Sequence, residues 1–419
     1  MPEWKSQCDG GKRAAGGRHQ RCQQCGRRIR RLVASRRVRR RGGAGPLTAP
    51  TVEPRLRRLV LLGAGRAHLQ LLRAFSRRLV RGLDLVLVST ERLQFDAAMT
   101  SGIIRGAYDE SEARIDVAAL AERAGARVVF ARADRFEPQT HVVHAGSERI
   151  TFDLCSIDEV GGSLDGELPG VAEHAIALRP ASGLPAVGRA IEARLADGSD
   201  PVRCTIVGGG STGVECAFAL QRLLRARAGR GVVTIVDAAP HVLDDLASCR
   251  ELAHRALERV GVCFVFGARA VGVRADGVQL SSGATLPSDL VLWATGGAPP
   301  RLIVESGLGH DPQGRLLVDA RLRARSGAPI WAAGDCASVE AAASIDPRRH
   351  GELLEDEIRR QLGARHRHLS ALRVRPPCLL DTGDGQALVR WGPVAARSRL
   401  GGWLKRRLDR RSVARLADG

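Results

Sequence analysis

A chain of 419 residues is long enough for two or three domains with substantial cores, and 44% apolar content is that of a soluble globular protein. No apolar run reaches the ~18–20 residues of a membrane span, and no apolar stretch of a secretory signal follows the basic N-terminus. A cytoplasmic protein is expected, with attachment to a membrane surface left open. The net charge of +20 is concentrated: residues 1–50 carry fourteen Lys and Arg against Glu3 and Asp9, so a solvated basic tail explains most of it and no specific nucleic-acid-binding fold is required.

In chain order, residues 1–54 read as a disordered tail or a misassigned start, ending in the linker "GGAGPLTAPTVEP". The tail holds the close pair Cys22 and Cys25, with Cys8 and His19 nearby. A single CxxC without a matched second pair is weak evidence for zinc, so no metal site is expected. The ten cysteines are scattered, as in a reduced compartment.

"RLVLLGAG" follows as a strand and a glycine turn, then a helix from about residue 66 to 81 and the strand "LDLVLVST". This is the layout of a dinucleotide-binding βα unit. Gly63 and Gly65 fit the fingerprint, but His68 stands at the third glycine position. The ribose-binding acid is also missing: Ser89 ends the second strand, and Glu91 is the nearest carboxylate. A helix, a strand and a hairpin follow, and "FDLCSIDEVGG" is another buried strand ending in glycines.

A second unit opens at "VRCTIVGGGSTGVECAFALQRLL", where Gly208, Gly210 and Gly213 complete G-x-G-x-x-G between a strand and a helix. The first glycine permits the turn, the second lets backbone approach a pyrophosphate, and the third lets helix and strand pack closely. Backbone N–H groups and the helix dipole would hold the phosphates. Glu215 lies in the first turn of that helix. Asp237 ends the next strand, where an acid binds a ribose 2′-hydroxyl and repels a 2′-phosphate, so NAD(H) is expected over NADP. Strand–glycine–helix units in alternation imply an α/β fold with two Rossmann-like dinucleotide-binding domains and a small C-terminal segment.

Two later segments, "LVLWATGGAPP" with Gly296 and "IWAAGDCAS" with Gly334 and Asp335, complete an ordered set of four motifs over residues 58–340. With them the chain resembles the FAD-dependent pyridine nucleotide–disulfide oxidoreductase superfamily. The resemblance implies an FAD domain interrupted by an NAD(P)H domain. FAD would be held by Gly63, Gly65, His68, Glu91, Gly334 and Asp335, with Asp335 on the ribityl chain. NAD would be held by Gly208, Gly210, Gly213, Glu215, Asp237 and Gly296. The "ATG" strand would mark the return to the FAD domain, giving boundaries at 55–168, 169–285, 286–365 and 366–419.

No cysteine lies between Leu59 and Phe152, so a thiol relay beside a flavin has no residues to run on. The chain looks instead like the type II NADH dehydrogenase-like branch, and in particular like the reductase fused in some bacteria to selenide, water dikinase. That group commonly has histidine near position 68. The implied activity is hydride transfer from NADH to flavin, followed by electron transfer to a quinone or another small acceptor; no catalytic residue is assigned. The alternative is an inactive nucleotide-binding relic that senses NADH. The helix after Asp335, "DPRRHGELLEDEIRRQL", is dense with charge where the family carries a Gln-containing helix near flavin and quinone. At the C-terminus, Trp403, Leu404 and Leu408 would form an apolar face, with Lys405, Arg406, Arg407, Arg410 and Arg411 toward lipid headgroups. A helix docked on the protein body explains the same pattern.

Overall fold

The computed structural model describes residues 56–158, 168–178, 183–197, 201–227, 230–244, 246–297, 299–339, 349–367, 369 and 377–417. The chain divides into Met1–Glu53 and Pro54–Gly419, and every described residue lies in the second unit. The cysteine pair of the tail therefore falls outside the described residues.

The first sheet starts with β1 (Arg57–Leu62), β2 (Leu83–Ser89), β3 (Ala126–Phe130) and β4 (Leu154–Ile157). The intervening segment includes α1 (Arg66–Arg77), whose buried positions His68, Leu69, Leu71, Leu72 and Phe75 recur at helical spacing. Leu59, Val60, Leu61 and Leu62 are wholly buried. Such a continuous apolar run, rather than an alternating one, marks a parallel strand covered on both faces, and each of these side chains contributes ~1.5–3 kcal/mol by burial.

The second sheet is built from β5 (Ala175–Ala177), β6 (Val202–Val207), β7 (Gly231–Asp237), β8 (Val262–Phe266) and β9 (Leu290–Trp293). Helix α2 (Ser211–Ala226) follows β6. The chain returns to the first sheet with β10 (Ile330–Ala332). All pairings in both sheets are parallel, in the orders β10-β4-β1-β2-β3 and β5-β9-β6-β7-β8. In each, the strand leading into a glycine turn is central, which sets the turn at a topological switch point.

One boundary differs from the sequence reading. The strand before "ATG" does not begin the return to the first sheet: Cys204–Val207 of β6 pairs with Leu290–Trp293 in parallel register. The second nucleotide fold therefore runs past residue 285, and the first sheet is rejoined only at β10. Local pattern identifies a buried apolar strand but not the neighbour with which it pairs.

A C-terminal lobe closes the molecule. The antiparallel strands β11 (Cys378–Asp381), β12 (Ala387–Trp391) and β13 (Val394–Ser398) precede α4 (Arg399–Ala417). The charged helix after β10 is α3 (His350–Gln361), and it docks on α1. Gly351 makes this possible, since a Cβ there would collide with Gln70 and Ala67 of α1. Its charges are internally matched: Arg359 pairs with Glu355 at 2.8 Å, and Arg360 with Glu357 at 2.6 Å. The charge density is thus a structural feature of a docked helix.

Candidate functional site: two glycine turns and a buried charged joint

The second turn forms a cleft of about 390 Å³ at the C-terminal edge of its sheet. Gly208, Gly210, Asp237, Thr295 and Gly296 all line it. Gly208 has φ +111°, a conformation that excludes most side chains, and its N–H donates to Val236 O at 2.8 Å. A Cβ on Gly210 would meet nothing within 4 Å, so this side of the turn opens into the cleft. Gly213 lies beneath the turn, where a Cβ would be driven into Gly208 O. Asp237 accepts hydrogen bonds from Gly209 N–H and, at 2.7 Å, from Ala239 N–H. The carboxylate is thereby fixed at the strand end. The first-turn amides of Ser211, Thr212 and Gly213 are uncommitted among the described residues, the arrangement that receives a phosphate at a helix N-terminus.

The first turn is built differently. Gly63 (φ +84°) makes the bend, and its N–H donates to Val88 O at 2.8 Å. His68 is wholly buried. Its Nδ1 lies 2.6 Å from Gly63 O and its Nε2 2.8 Å from Ser156 Oγ. A carbonyl can only accept, so Nδ1 carries the proton and Nε2 accepts from the serine. Burial lowers the pKa of His68 and outweighs the opposing influence of Asp158 and the Gly63 carbonyl, so the ring is held neutral. The position read as a missing glycine is filled by a side chain that ties the turn to β4.

The residue missed in the sequence is Asp158, just past β4. Its Oδ2 accepts from Ala67 N–H at 2.7 Å and His68 N–H at 3.0 Å, and its carbonyl accepts from Gly65 N–H at 2.8 Å. A Cβ on either Gly65 or Gly334 would strike this carboxylate. Gly65 and Gly334 (φ +59°) thus both make room for Asp158, and Gly334 N–H donates to His350 Nδ1 at 3.0 Å. Of the first three amides of α1, Asp158 occupies two and leaves Arg66 N–H. Asp335 is exposed beside Gly334. Ser89 is buried in a local turn, donating to Glu91 O at 3.0 Å.

Glu215 is not brought into the second cleft. Its Oε1 accepts from Asp381 N–H at 2.8 Å and lies 3.8 Å from Lys405 Nζ. Lys405 also donates to Ala98 O and Asp409 Oδ2, both at 2.7 Å, and Tyr108 O–H donates to Asp409 Oδ2 at 3.1 Å. This joint connects α2, the first domain and the C-terminal lobe. Burial pushes the Glu215 carboxyl up to about 7, against the opposing pull of Lys405. Burial also works against the Lys405 charge, but Glu215 and Asp409 more than offset it and raise its pKa.

The C-terminal helix accordingly departs from its expected orientation. Lys405 is buried rather than facing headgroups, and Arg410 pairs with Glu112 at 2.8 Å. Gly401, Gly402, Lys405, Asp409, Val413 and Leu416 form the docked face, while Leu400, Trp403 and Leu408 remain exposed. Leu404 is only partly exposed.

The buried thiols Cys155, Cys204 and Cys216 are all raised in pKa by burial, Cys204 to about 12, which leaves them unreactive. Among the described residues there is no cluster that could hold a metal ion and no helix long and apolar enough to cross a membrane.

Two parallel sheets, each with a glycine turn at its switch point and a helix starting there, make up a double dinucleotide-binding fold. The family model for pyridine nucleotide-disulphide oxidoreductases matches residues 57–352, and the chain belongs to that family. It is 33% identical over 181 residues to an NADH dehydrogenase-like protein of Mycobacterium tuberculosis, a match covering 41% of this chain and 45% of that one. It is 28% identical over 194 residues to the demethylphylloquinone reductase of Synechocystis, covering 45% and 47%. The chain thus spans a little under half the length of these curated relatives. Among solved structures, sulfide:quinone oxidoreductase of Aquifex aeolicus superposes with a TM-score of 0.71 at 14% identity, covering 86% of this chain and 92% of that one. The NDH2 of Plasmodium falciparum in complex with NADH gives 0.69 at 12%, covering 86% and 97%.

Proposed function

We propose that the protein is an FAD-dependent NADH dehydrogenase that passes electrons to a quinone or another small acceptor. The observation that carries this reading is the second cleft, where the residues expected at a phosphate and an adenosine ribose converge. There the free amides of Ser211, Thr212 and Gly213 would hold the pyrophosphate of NADH. Asp237 would accept from the ribose hydroxyls and repel a 2′-phosphate, favouring NADH over NADPH.

The first turn fits a flavin dinucleotide. The Arg66 amide and the positive end of α1 would face its pyrophosphate, and exposed Asp335 its ribityl hydroxyls. Asp158 would hold the remaining amides of α1 from beneath, and His68 would fix the turn. FAD, when bound, supplies hydride acceptance from nicotinamide, and the protein supplies position and electrostatics. The relatives named as quinone reductases support a quinone acceptor. Exposed Trp391, Val394, Leu400 and Trp403 on the C-terminal lobe support contact with a membrane surface.

Asp158 also motivates a second reading, a family member that binds NADH without flavin, because its carboxylate takes two of the three helix-start amides and adds a negative charge near a diphosphate. An absorbance spectrum of the purified chain, taken before and after anaerobic NADH addition, separates the two. Flavin bands that bleach support the dehydrogenase. Protein that stays colourless after incubation with FAD, yet still binds NADH, supports the alternative.

Charge at position 158 gives a further prediction. Asp158→Asn keeps an acceptor for the helix amides but removes a negative charge beside the diphosphate. It is expected to tighten FAD binding by about threefold to tenfold, measured by titration of apoprotein, at a cost in stability of roughly 1 kcal/mol or less. Unchanged or weaker FAD binding would place the diphosphate elsewhere.

A further inference from the structure

The outer side of α1, helix α3, the segment after it and α4 line a cleft of about 950 Å³, whose near end at Arg66 adjoins the first glycine turn. Arginines converge on it from elements distant in sequence: Arg73 and Arg77 from α1, Arg365 and Arg367 after α3, and Arg411 and Arg415 from α4. None of these six guanidinium groups is paired with a carboxylate among the described residues. The four acidic groups of the same lining are already engaged. Glu352 lies 3.7 Å from Arg349, Glu355 holds Arg359, Asp409 holds Lys405, and Asp356 accepts from the backbone N–H groups of Arg367 and Leu369. The cleft thus carries a surplus of positive charge that its own carboxylates do not neutralise. Burial lowers the pKa of Arg73, and the neighbouring Arg77 and Arg415 lower it further. Its Nε is buried without a hydrogen-bond partner among the described residues.

Like charges gathered on one cleft repel one another, and a bound anion relieves that repulsion; a guanidinium fork matches phosphate oxygens bidentately. A volume of this order accommodates a small molecule rather than a single ion. We propose that this cleft is a binding site for an oligophosphate group, carried either by a soluble ligand or by a phospholipid headgroup. Arg73, Arg77 and Arg415 form its centre. The proposal rests on Arg73 and Arg77, about two and three turns along α1 from Arg66, and on Arg415 of α4, and not on the first glycine turn itself.

The test is a mass-spectrometric map of arginine modification by phenylglyoxal on the full chain. It is run alone, with inorganic tripolyphosphate, and with phosphatidylcholine vesicles containing cardiolipin. Protection of Arg73, Arg77 and Arg415 by tripolyphosphate, with Arg149, Arg189 and Arg259 unprotected, supports a soluble ligand. The same pattern with vesicles alone supports a headgroup. The triple variant Arg73→Gln, Arg77→Gln, Arg415→Gln should bind the effective probe at least about tenfold more weakly. The charge-matched triple variant Arg149→Gln, Arg189→Gln, Arg259→Gln should bind it as the unmodified chain does. Equal protection of all arginines, no protection by either probe, or equal losses in the two triple variants overturns the proposal. The map on the unmodified chain stands even where the first variant folds poorly.

Discussion

Replacing Asp237 with alanine is expected to weaken NADH binding by about tenfold to a hundredfold, the cost of one or two hydrogen bonds to a charged group. The effect has two physical sources. The carboxylate that would accept from the ribose is lost, and so is the acceptor that fixes Gly209 N–H and Ala239 N–H. The glycine turn then loses its attachment to the end of β7. NADPH should respond differently: with the negative charge gone, its 2′-phosphate meets less repulsion, so the preference for NADH narrows or reverses. Equilibrium titrations with both nucleotides check this. A variant that lowers both affinities by the same factor would show that Asp237 only supports the turn and does not read the ribose.

The second large effect is expected at Lys405. Lys405→Met should cost about 3–5 kcal/mol of stability, measured by urea denaturation, because it leaves Glu215 and Asp409 buried without their counter-charge. Removing the carboxylates as well, in Lys405→Met, Asp409→Leu, Glu215→Gln, should recover much of the loss. Failure to recover would mean that the lysine acts through its stem and its bond to Ala98 O.

The same joint sets a dependence on pH. The Glu215 carboxyl is held near 7 in the folded chain against an ordinary 4.5, so the folded state keeps a proton that the unfolded state releases. This contribution is full below pH 4.5 and is lost as pH rises to about 7, a change on the order of 3 kcal/mol. Glu215→Gln, which mimics the protonated acid, should flatten the stability profile across that interval. A profile identical to that of the unmodified chain would show that Glu215 is ionised throughout.

What the sequence made legible follows the range of the interactions. The glycine turns, the strands flanking them and the helix starts are set by contiguous residues, and they lie where local pattern puts them. Gly208, Gly210, Asp237 and Gly296 converge because the C-terminal ends of parallel strands share one edge. The place of Glu215 in the helix's first turn predicts a side chain at that edge, but proximity along a helix does not fix direction around it, and its carboxylate faces the C-terminal lobe. Asp158 carries no local signal beyond its place at a strand end. Its importance comes from Gly65 and Gly334, which lie 93 residues before it and 176 after it. Lys405 sits in a run of cations that pattern alone assigns to the surface, and only the docking of α4 shows it buried. Strand β13 lacked an apolar alternation strong enough to mark it.

The histidine in the first turn has a diagnostic consequence. His68 and Ser156 are 88 positions apart, and each satisfies the other in a space without solvent. A three-glycine pattern passes over this half of the molecule. A pattern that accepts histidine at the third position only when serine stands inside the fourth parallel strand would retrieve chains that share the substitution as a pair. Either residue without the other would identify a chain in which the exchange is incomplete and the turn is left with an unanswered polar group.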